Sequence, residues 1–380
     1  MPDTAQFSSA GTAKAGAARN QYVPSLDGLR AVSILLVMLS HAGLGHLVPG
    51  GLGVTIFFAI SGYLITGQMV AEVERTGRLD LRQFYLRRFF RLAPALIVYI
   101  AIMTPVALLM GADMSPQSIA ASALYIGNYW WIFHGYGDFS PFPILWSLSI
   151  EEQFYILFPC ALSLAVPRLE RAILPVAGIM LAVLLWRVHV AQLCIDHAGP
   201  WAVCGLPQRP DMPEGARIYL GTDTRFDCIL AGVLAALTAV YAGARWRRRL
   251  LGNVPLCAAL AALLLSLLVR DAAFRDTLRY SIQSMASAVI ILNLAHGRAC
   301  LLRRVLSYGG LVHIGRLSYS LYLYHFATRL IIVRVLGGFT WQSYRFYLFF
   351  ACSFLLAVLS YYYVERPMLR LRHRFGSHAA

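Results

Sequence analysis

Apolar runs long enough to cross a hydrocarbon core of roughly 30 Å as helices of about 20 residues start near Ala31, Leu52, Leu92, Trp146, Ala172, Gly221, Leu251, Ser281, Val312 and Arg345. No soluble domain carries so many. The expected fold is all-α, a polytopic membrane protein of about ten transmembrane helices. A further apolar stretch, residues 118–134, is shorter and carries Asn128, Trp130, Trp131 and His134. Counting it as a full crossing would turn the arginine-free loop before Trp146 inward, so it is read as re-entrant or interfacial.

Composition agrees, with 58% hydrophobic and 13% charged residues. A net charge of +15 invites a nucleic-acid reading, but the basic residues fall in short clusters between apolar runs, as in cytoplasmic loops of membrane proteins. Nucleic acid is therefore not an expected partner; the lipid bilayer is. Arg75, Arg78, Arg82, Arg87, Arg88 and Arg91 form one such loop, and Arg245, Arg247, Arg248 and Arg249 another. Both are placed in the cytoplasm, together with both termini. The loops around Asp113–Phe142 and Gly337–Tyr344 carry no Lys or Arg and are placed outside. The loop holding Arg270, Asp271, Arg275 and Arg279 also falls outside, against the charge rule.

Residues 1–21, rich in Ala, Gly, Ser and Thr, lack the features of a signal peptide and read as a disordered cytoplasmic tail. The transmembrane domain is expected over 22–368, followed by a basic cytoplasmic tail at 369–380. No zinc-type CxxC occurs, and no metal site is expected. Cys194 and Cys204 share one polar loop placed outside, where a disulfide would be compatible with an oxidising compartment.

Ionisable groups within apolar runs mark polar cavities or reaction sites. His41 lies eleven residues beyond Arg30, about 16 Å along a helix and about 20° from a whole number of turns. The two side chains therefore share a face, with Arg30 at the cytoplasmic mouth and His41 near the middle. That spacing suits a long acyl donor whose phosphates stay at the mouth while its thioester reaches an imidazole base. A neutral histidine bonded between helices would look the same in isolation.

Arg87, Arg88 and Arg91 have helical spacing and can gather guanidinium groups for phosphate, although ordinary cytoplasmic anchoring gives the same pattern. On the outer side stand Glu151 and Glu152, then Asp223, Arg225 and Asp227, then His325 and Arg329. Adjacent Glu151 and Glu152 diverge by about 100°, so at most one faces a given wall. Asp223 and Asp227 share a face, either toward substrate or in a salt bridge with Arg225 or Arg329. Tyr129, Trp130, Trp131, Trp146 and Tyr155 offer stacking surfaces for sugars, or an interfacial aromatic belt.

The strings SLDGLRAVSILLVMLSHAG, GVTIFFAISGYLIT, FYLRRFFRLAPA, LWSLSIEEQFYILFP, GTDTRFDCILAG, SYSLYLYH and VERP occur in that order. In this the chain resembles the acyltransferase family 3 membrane proteins over residues 22–368. The resemblance implies a ten-helix bacterial inner-membrane O-acyltransferase that uses acyl-CoA, commonly acetyl-CoA, to modify glycans or, in some branches, macrolides. The family's Arg-ten-residues-His motif falls on Arg30 and His41, its Arg-x-x-Arg motif on Arg88 and Arg91, and its Trp-Ser-Leu-x-x-Glu-Glu-Gln-Phe motif on Trp146–Phe154. Thr55 departs from the family pattern, which often has Asp there, and receives no catalytic part. Some members append an SGNH-type esterase domain; the reading here is of a mechanism without one.

The resulting expectation is direct transfer. Arg30, Arg88, Arg91 and Arg87 hold the phosphates of cytoplasmic acyl-CoA, and His41 takes the proton of the acceptor hydroxyl. Glu151 or Glu152 orients the acceptor or the imidazole, and His325 is the second candidate for the base. Asp223, Arg225, Asp227, His325, Trp146 and Tyr155 line the acceptor side, which receives a glycan or glycolipid. The rival expectations are a flippase for lipid-linked sugars and a relay that passes acyl groups to a separate transferase.

Overall fold

A computed structural model describes residues 22–194, 201–205, 215–297, 300–338 and 340–372. The tail at 1–21 and the end of the chain beyond residue 372 lie outside the described residues. Among the described residues all regular structure is helical.

The chain opens with α1 (Pro24–Leu39), α2 (Gly50–Thr76) and α3 (Leu81–Leu109), then the short α4 (Pro116–Ala123) and α5 (Gly127–His134). Next come α6 (Trp146–Ala165), α7 (Ile173–Cys194), α8 (Trp201–Cys204), α9 (Ala216–Leu220), α10 (Thr222–Tyr241), α11 (Ala244–Leu250) and α12 (Asn253–Leu268). It closes with α13 (Ala272–Asp276), α14 (Leu278–His296), α15 (Leu301–Leu306), α16 (Gly309–Arg316), α17 (Ser318–Leu336), α18 (Tyr344–Ser360) and α19 (Arg366–Arg372). The domain boundary expected at residue 368 thus falls inside a helix.

Local sequence explains several ends. Pro24 opens α1, where its missing N–H is no loss. Gly77, at φ +72°, closes α2 in the left-handed region. Asp80 accepts the Gln83 backbone N–H at 2.9 Å and so starts α3 eleven residues before its apolar run. Arg87, Arg88 and Arg91 are consequently helical, as their spacing suggested, and Arg82, counted in the loop, joins them on α3.

Among the described residues six stretches are long and apolar enough to cross a membrane: Pro24–Leu44, Gly50–Thr76, Leu81–Leu109, Pro143–Cys194, Thr222–Tyr241 and Tyr344–Leu371. A seventh results if α11 and α12, bent by 53°, form one span. The expected ten crossings are not reached by this measure, for two physical reasons. The 52-residue stretch is broken at Arg168 (φ −150°, ψ 55°), which separates α6 from α7. The 19-residue α14 and α17 carry buried polar groups such as Gln283, Asn293 and His325, which lower their apolarity. Residues 118–134 form most of two eight-residue helices, each about 12 Å long and too short to cross.

α10 lies against α2, α7 and α14, while α1 packs between α2 and α16. The α2–α10 contact is made by glycine. A Cβ on Gly62 would lie 2.1 Å from the Ile229 carbonyl oxygen, and one on Gly232 would lie 1.9 Å from that of Ala59. Such backbone approach is how helices associate where lipid removes the hydrophobic drive between them. Cys194 and Cys204 are joined in a disulfide that ties the end of α7 to α8.

Candidate active site

His41 does not lie midway along its span. α1 gives way after Leu39 to a π-helical turn, Ser40–Leu44, in which Gly43 takes φ +91°. His41 therefore sits where the helix breaks, near the far end of the 21-residue stretch that starts at Pro24. Its Nδ1 is 3.0 Å from Nε2 of His325 on α17, with the rings 5.2 Å apart at 28°. Phe326 closes one side edge-on at 5.4 Å.

The direction of this bond follows from the far side of His325. Its Nδ1 lies 3.0 Å from the Leu321 carbonyl oxygen and 2.8 Å from that of Tyr322. Carbonyls only accept, so Nδ1 of His325 carries the hydrogen and Nε2 holds a lone pair. Nδ1 of His41 must then donate, which leaves the lone pair of His41 on Nε2. His325 is fully buried, whereas His41 keeps partial exposure. The partner that orients His41 is thus a second imidazole; neither Glu151 nor Glu152 bonds to it.

Glu151 stands elsewhere. It accepts from the Ser61 hydroxyl of α2 at 2.8 Å and lies in the electrostatic field of Arg30, Arg88 and Arg91. The acidic pair and the arginines, expected at opposite sides of the membrane, meet in one cluster because α3 begins early and carries its arginines inward. Glu152 faces Arg88 and Tyr125.

Arg88 is buried, donates to Gln68 Oε1 at 2.9 Å and lies 5.4 Å from the Tyr155 ring and 5.7 Å from that of Phe84. Tyr155, expected on a sugar-stacking surface, packs here against the arginine cluster. Arg30 pairs with Asp27 at 3.8 Å, and Arg91 makes no ion pair among the described residues. Arg87 turns away from its neighbours to bind Glu72 of α2 at 2.9 Å. Glu365, buried and bonded by the Ser320 hydroxyl, completes the cluster beside Arg91 and Arg30. No role was assigned to it from sequence, although a carboxylate at the end of an apolar run was a visible signal.

The two aspartates of α10 share neither of their expected partners. Asp227 is bonded by Arg187 at 2.9 and 3.0 Å and by Ser281 at 2.6 Å, and is fully buried. Asp223 accepts from Arg217 at 3.0 and 2.6 Å, from Trp186 at 2.6 Å and from Tyr129 at 3.0 Å. Among the described residues their salt bridges go to Arg187 and Arg217, not to Arg225 or Arg329. Arg187, an arginine in the apolar run of α7, went unassigned in the sequence reading despite standing in plain view.

Arg225 is fully buried; its Nη2 donates to Thr55 Oγ1 at 3.0 Å, its side chain also reaches the Cys228 thiol, and its Nε and Nη1 find no hydrogen-bond partner among the described residues. Aromatic rings surround it: Tyr280 at 3.8 Å, Tyr219 at 5.3 Å, and Trp146 and Phe58 each at 5.9 Å. The Trp146 of the expected acceptor wall belongs to this box. Ser147 and Tyr322, 2.6 Å apart, connect its helix to the backbone beneath His325.

A family model described as an acyltransferase domain matches residues 23–365. The chain is 31% identical over 365 residues to the O-acetyltransferase OatA of Staphylococcus aureus, covering 92% of this chain and 57% of that protein. It is 29% identical over 365 residues to the peptidoglycan O-acetyltransferase OatA of Listeria monocytogenes, covering 92% and 56%. The chain thus spans little more than half the length of the curated relatives it matches. No solved structure gives a significant match.

Proposed function

Since this chain belongs to the acyltransferase family whose model spans residues 23–365, we propose that it is a membrane O-acyltransferase, and that it moves an acyl group, acetyl in the simplest case, from cytoplasmic acyl-CoA to a hydroxyl of a glycan or related acceptor. The bacterial cytoplasmic membrane is the proposed location, with both termini inside. The observation that carries the mechanism is the His41–His325 bond, which leaves His41 Nε2 as a lone pair on a partly exposed ring.

In this mechanism Arg30, Arg88 and Arg91 hold the donor phosphates. Arg91 matters most, since it has no ion pair of its own to give up. Arg87, committed to Glu72, contributes little. Glu151 and Glu365 set the guanidinium positions, so that acidic pair member Glu151 acts on the donor side. From Arg30 to His41 is about 16 Å of helix, a span for the extended arm between phosphates and thioester.

The acceptor hydroxyl gives its proton to His41 Nε2 while its oxygen bonds to the thioester carbonyl carbon. The carbon–sulfur bond then breaks, and the leaving thiolate is reprotonated by the imidazolium. His325 stabilises that imidazolium by accepting from Nδ1, as a positioning residue. Asp223 and Asp227, saturated by arginines, hold α10 in place rather than touching the acceptor.

The test is acyl transfer by the protein in lipid nanodiscs, given radiolabelled acetyl-CoA and membrane glycans, with the products read by mass spectrometry. An added acyl mass that depends on His41 supports the reading. Movement of glycan without acyl-CoA would replace it with a flippase, and CoA release with no acylated glycan would replace it with a relay.

A further inference from the structure

Among the described residues no carboxylate forms a salt bridge with the buried Arg225. Among the described residues its Nε and Nη1 groups are buried without a hydrogen-bond partner, and the groups that it does bond are a hydroxyl, Thr55, and a thiol, Cys228. Asp227, the nearest acid on the same helix, is engaged by Arg187 and Ser281. An unpaired guanidinium in such surroundings is strongly unfavourable, and a fold retains one where a ligand supplies the opposite charge.

A second cation lies close by. Arg279, half-buried, stands 5.5 Å from the Tyr280 ring whose centroid is 3.8 Å from Arg225. Both guanidinium groups act electrostatically on the Tyr219 hydroxyl. Tyr219 is itself half-buried and stands at the edge of this otherwise buried group. It also adjoins the histidine site: a Cβ on Gly51 would lie 3.5 Å from the Tyr219 ring and hydroxyl, and neighbouring Gly50 abuts Ser40, the residue before His41.

We propose that the box formed by Arg225, Tyr219, Tyr280 and Trp146 is a carboxylate subsite, and that the acceptor is an acidic glycan whose carboxylate seats there while its hydroxyl meets His41. The inference rests on the acyltransferase reading and deepens it. One desolvated guanidinium, with a second reaching solvent, matches a single negative charge; a diphosphate would call for the denser cluster found at Arg30, Arg88 and Arg91. Aromatic walls suit the apolar face of a sugar ring.

The experiment uses the full chain in nanodiscs and an oligosaccharide containing glucuronate, beside the same oligosaccharide with its carboxyl groups reduced to alcohols. Binding is measured by calorimetry without donor, and transfer is measured separately. The acidic form is expected to bind at least about tenfold more tightly, and both Arg225→Gln and Thr55→Asp should remove that difference, the second by supplying an internal carboxylate. Thermal melting of each variant verifies that it is folded. Equal binding of the two oligosaccharides by the unaltered protein, or a preference that persists in both variants, overturns the subsite. Charge-dependent binding without acyl transfer would leave the subsite standing and remove the transferase reading instead.

Discussion

His41 donates from Nδ1 to Nε2 of His325 across 3.0 Å, and this one bond fixes which nitrogen of His41 is available for chemistry. The two residues stand 284 positions apart, on helices whose association alone creates the pair.

Unequal losses are expected from the two histidines. His41→Ala removes the proposed base and should lower kcat by about 10²–10⁴-fold, with little change in the acyl-CoA KM. His325→Ala leaves the base present but free to rotate, and should lower kcat by about 10²-fold. Steady-state transfer assays on both variants measure this; a larger loss for His325→Ala would exchange their roles.

Donor binding should separate Arg91 from Arg87. Arg91→Ala is expected to raise the KM for acyl-CoA by about 10- to 100-fold, the scale of a lost charged hydrogen bond. Arg87→Ala breaks only a peripheral pair with Glu72 and should change it by less than about threefold. Titration of acyl-CoA against initial rate decides between them.

The Arg187–Asp227 pair predicts a stability effect that is not additive. Arg187→Leu strands a buried carboxylate and should cost about 3–5 kcal/mol, while adding Asp227→Leu should recover part of it. Melting temperatures in detergent for the two single variants and the double variant give the coupling.

Gly232→Leu drives a side chain into the Ala59 carbonyl and should destabilise the protein by about 1–3 kcal/mol or prevent its assembly. Gly67→Ala, on the same α2 but with nothing within 4 Å of its Cβ, should be neutral or stabilising by up to about 1 kcal/mol. Expression level and thermal melting of the pair provide the comparison.

Much of the fold was legible because helix formation in lipid depends on local runs of apolar residues. Nine of the ten runs fall mainly on one helix each, the run from Val312 is split between α16 and α17, and residues 118–134 yielded two helices too short to cross. The start of α3 was not legible from apolarity, since Asp80 and the following arginines build polar turns ahead of the run. Partner choice was the least accessible part of the site. Glu151 finds Ser61 and the arginines, Asp223 finds Arg217, and Asp227 finds Arg187, all through rotation and packing of separate helices. Spacing along one helix says which residues share a face, but not which helix that face will meet. Thr55, given no part from sequence, accepts a hydrogen bond from the buried Arg225.

The two peptide carbonyls behind His325 have a consequence for proton movement. A hydrogen passed into the imidazole pair reaches Leu321 and Tyr322, whose oxygens can neither release one onward nor shuttle it to water. The pair is a closed end and not a wire: beyond His325 the described hydrogen bonds offer a proton no further side chain.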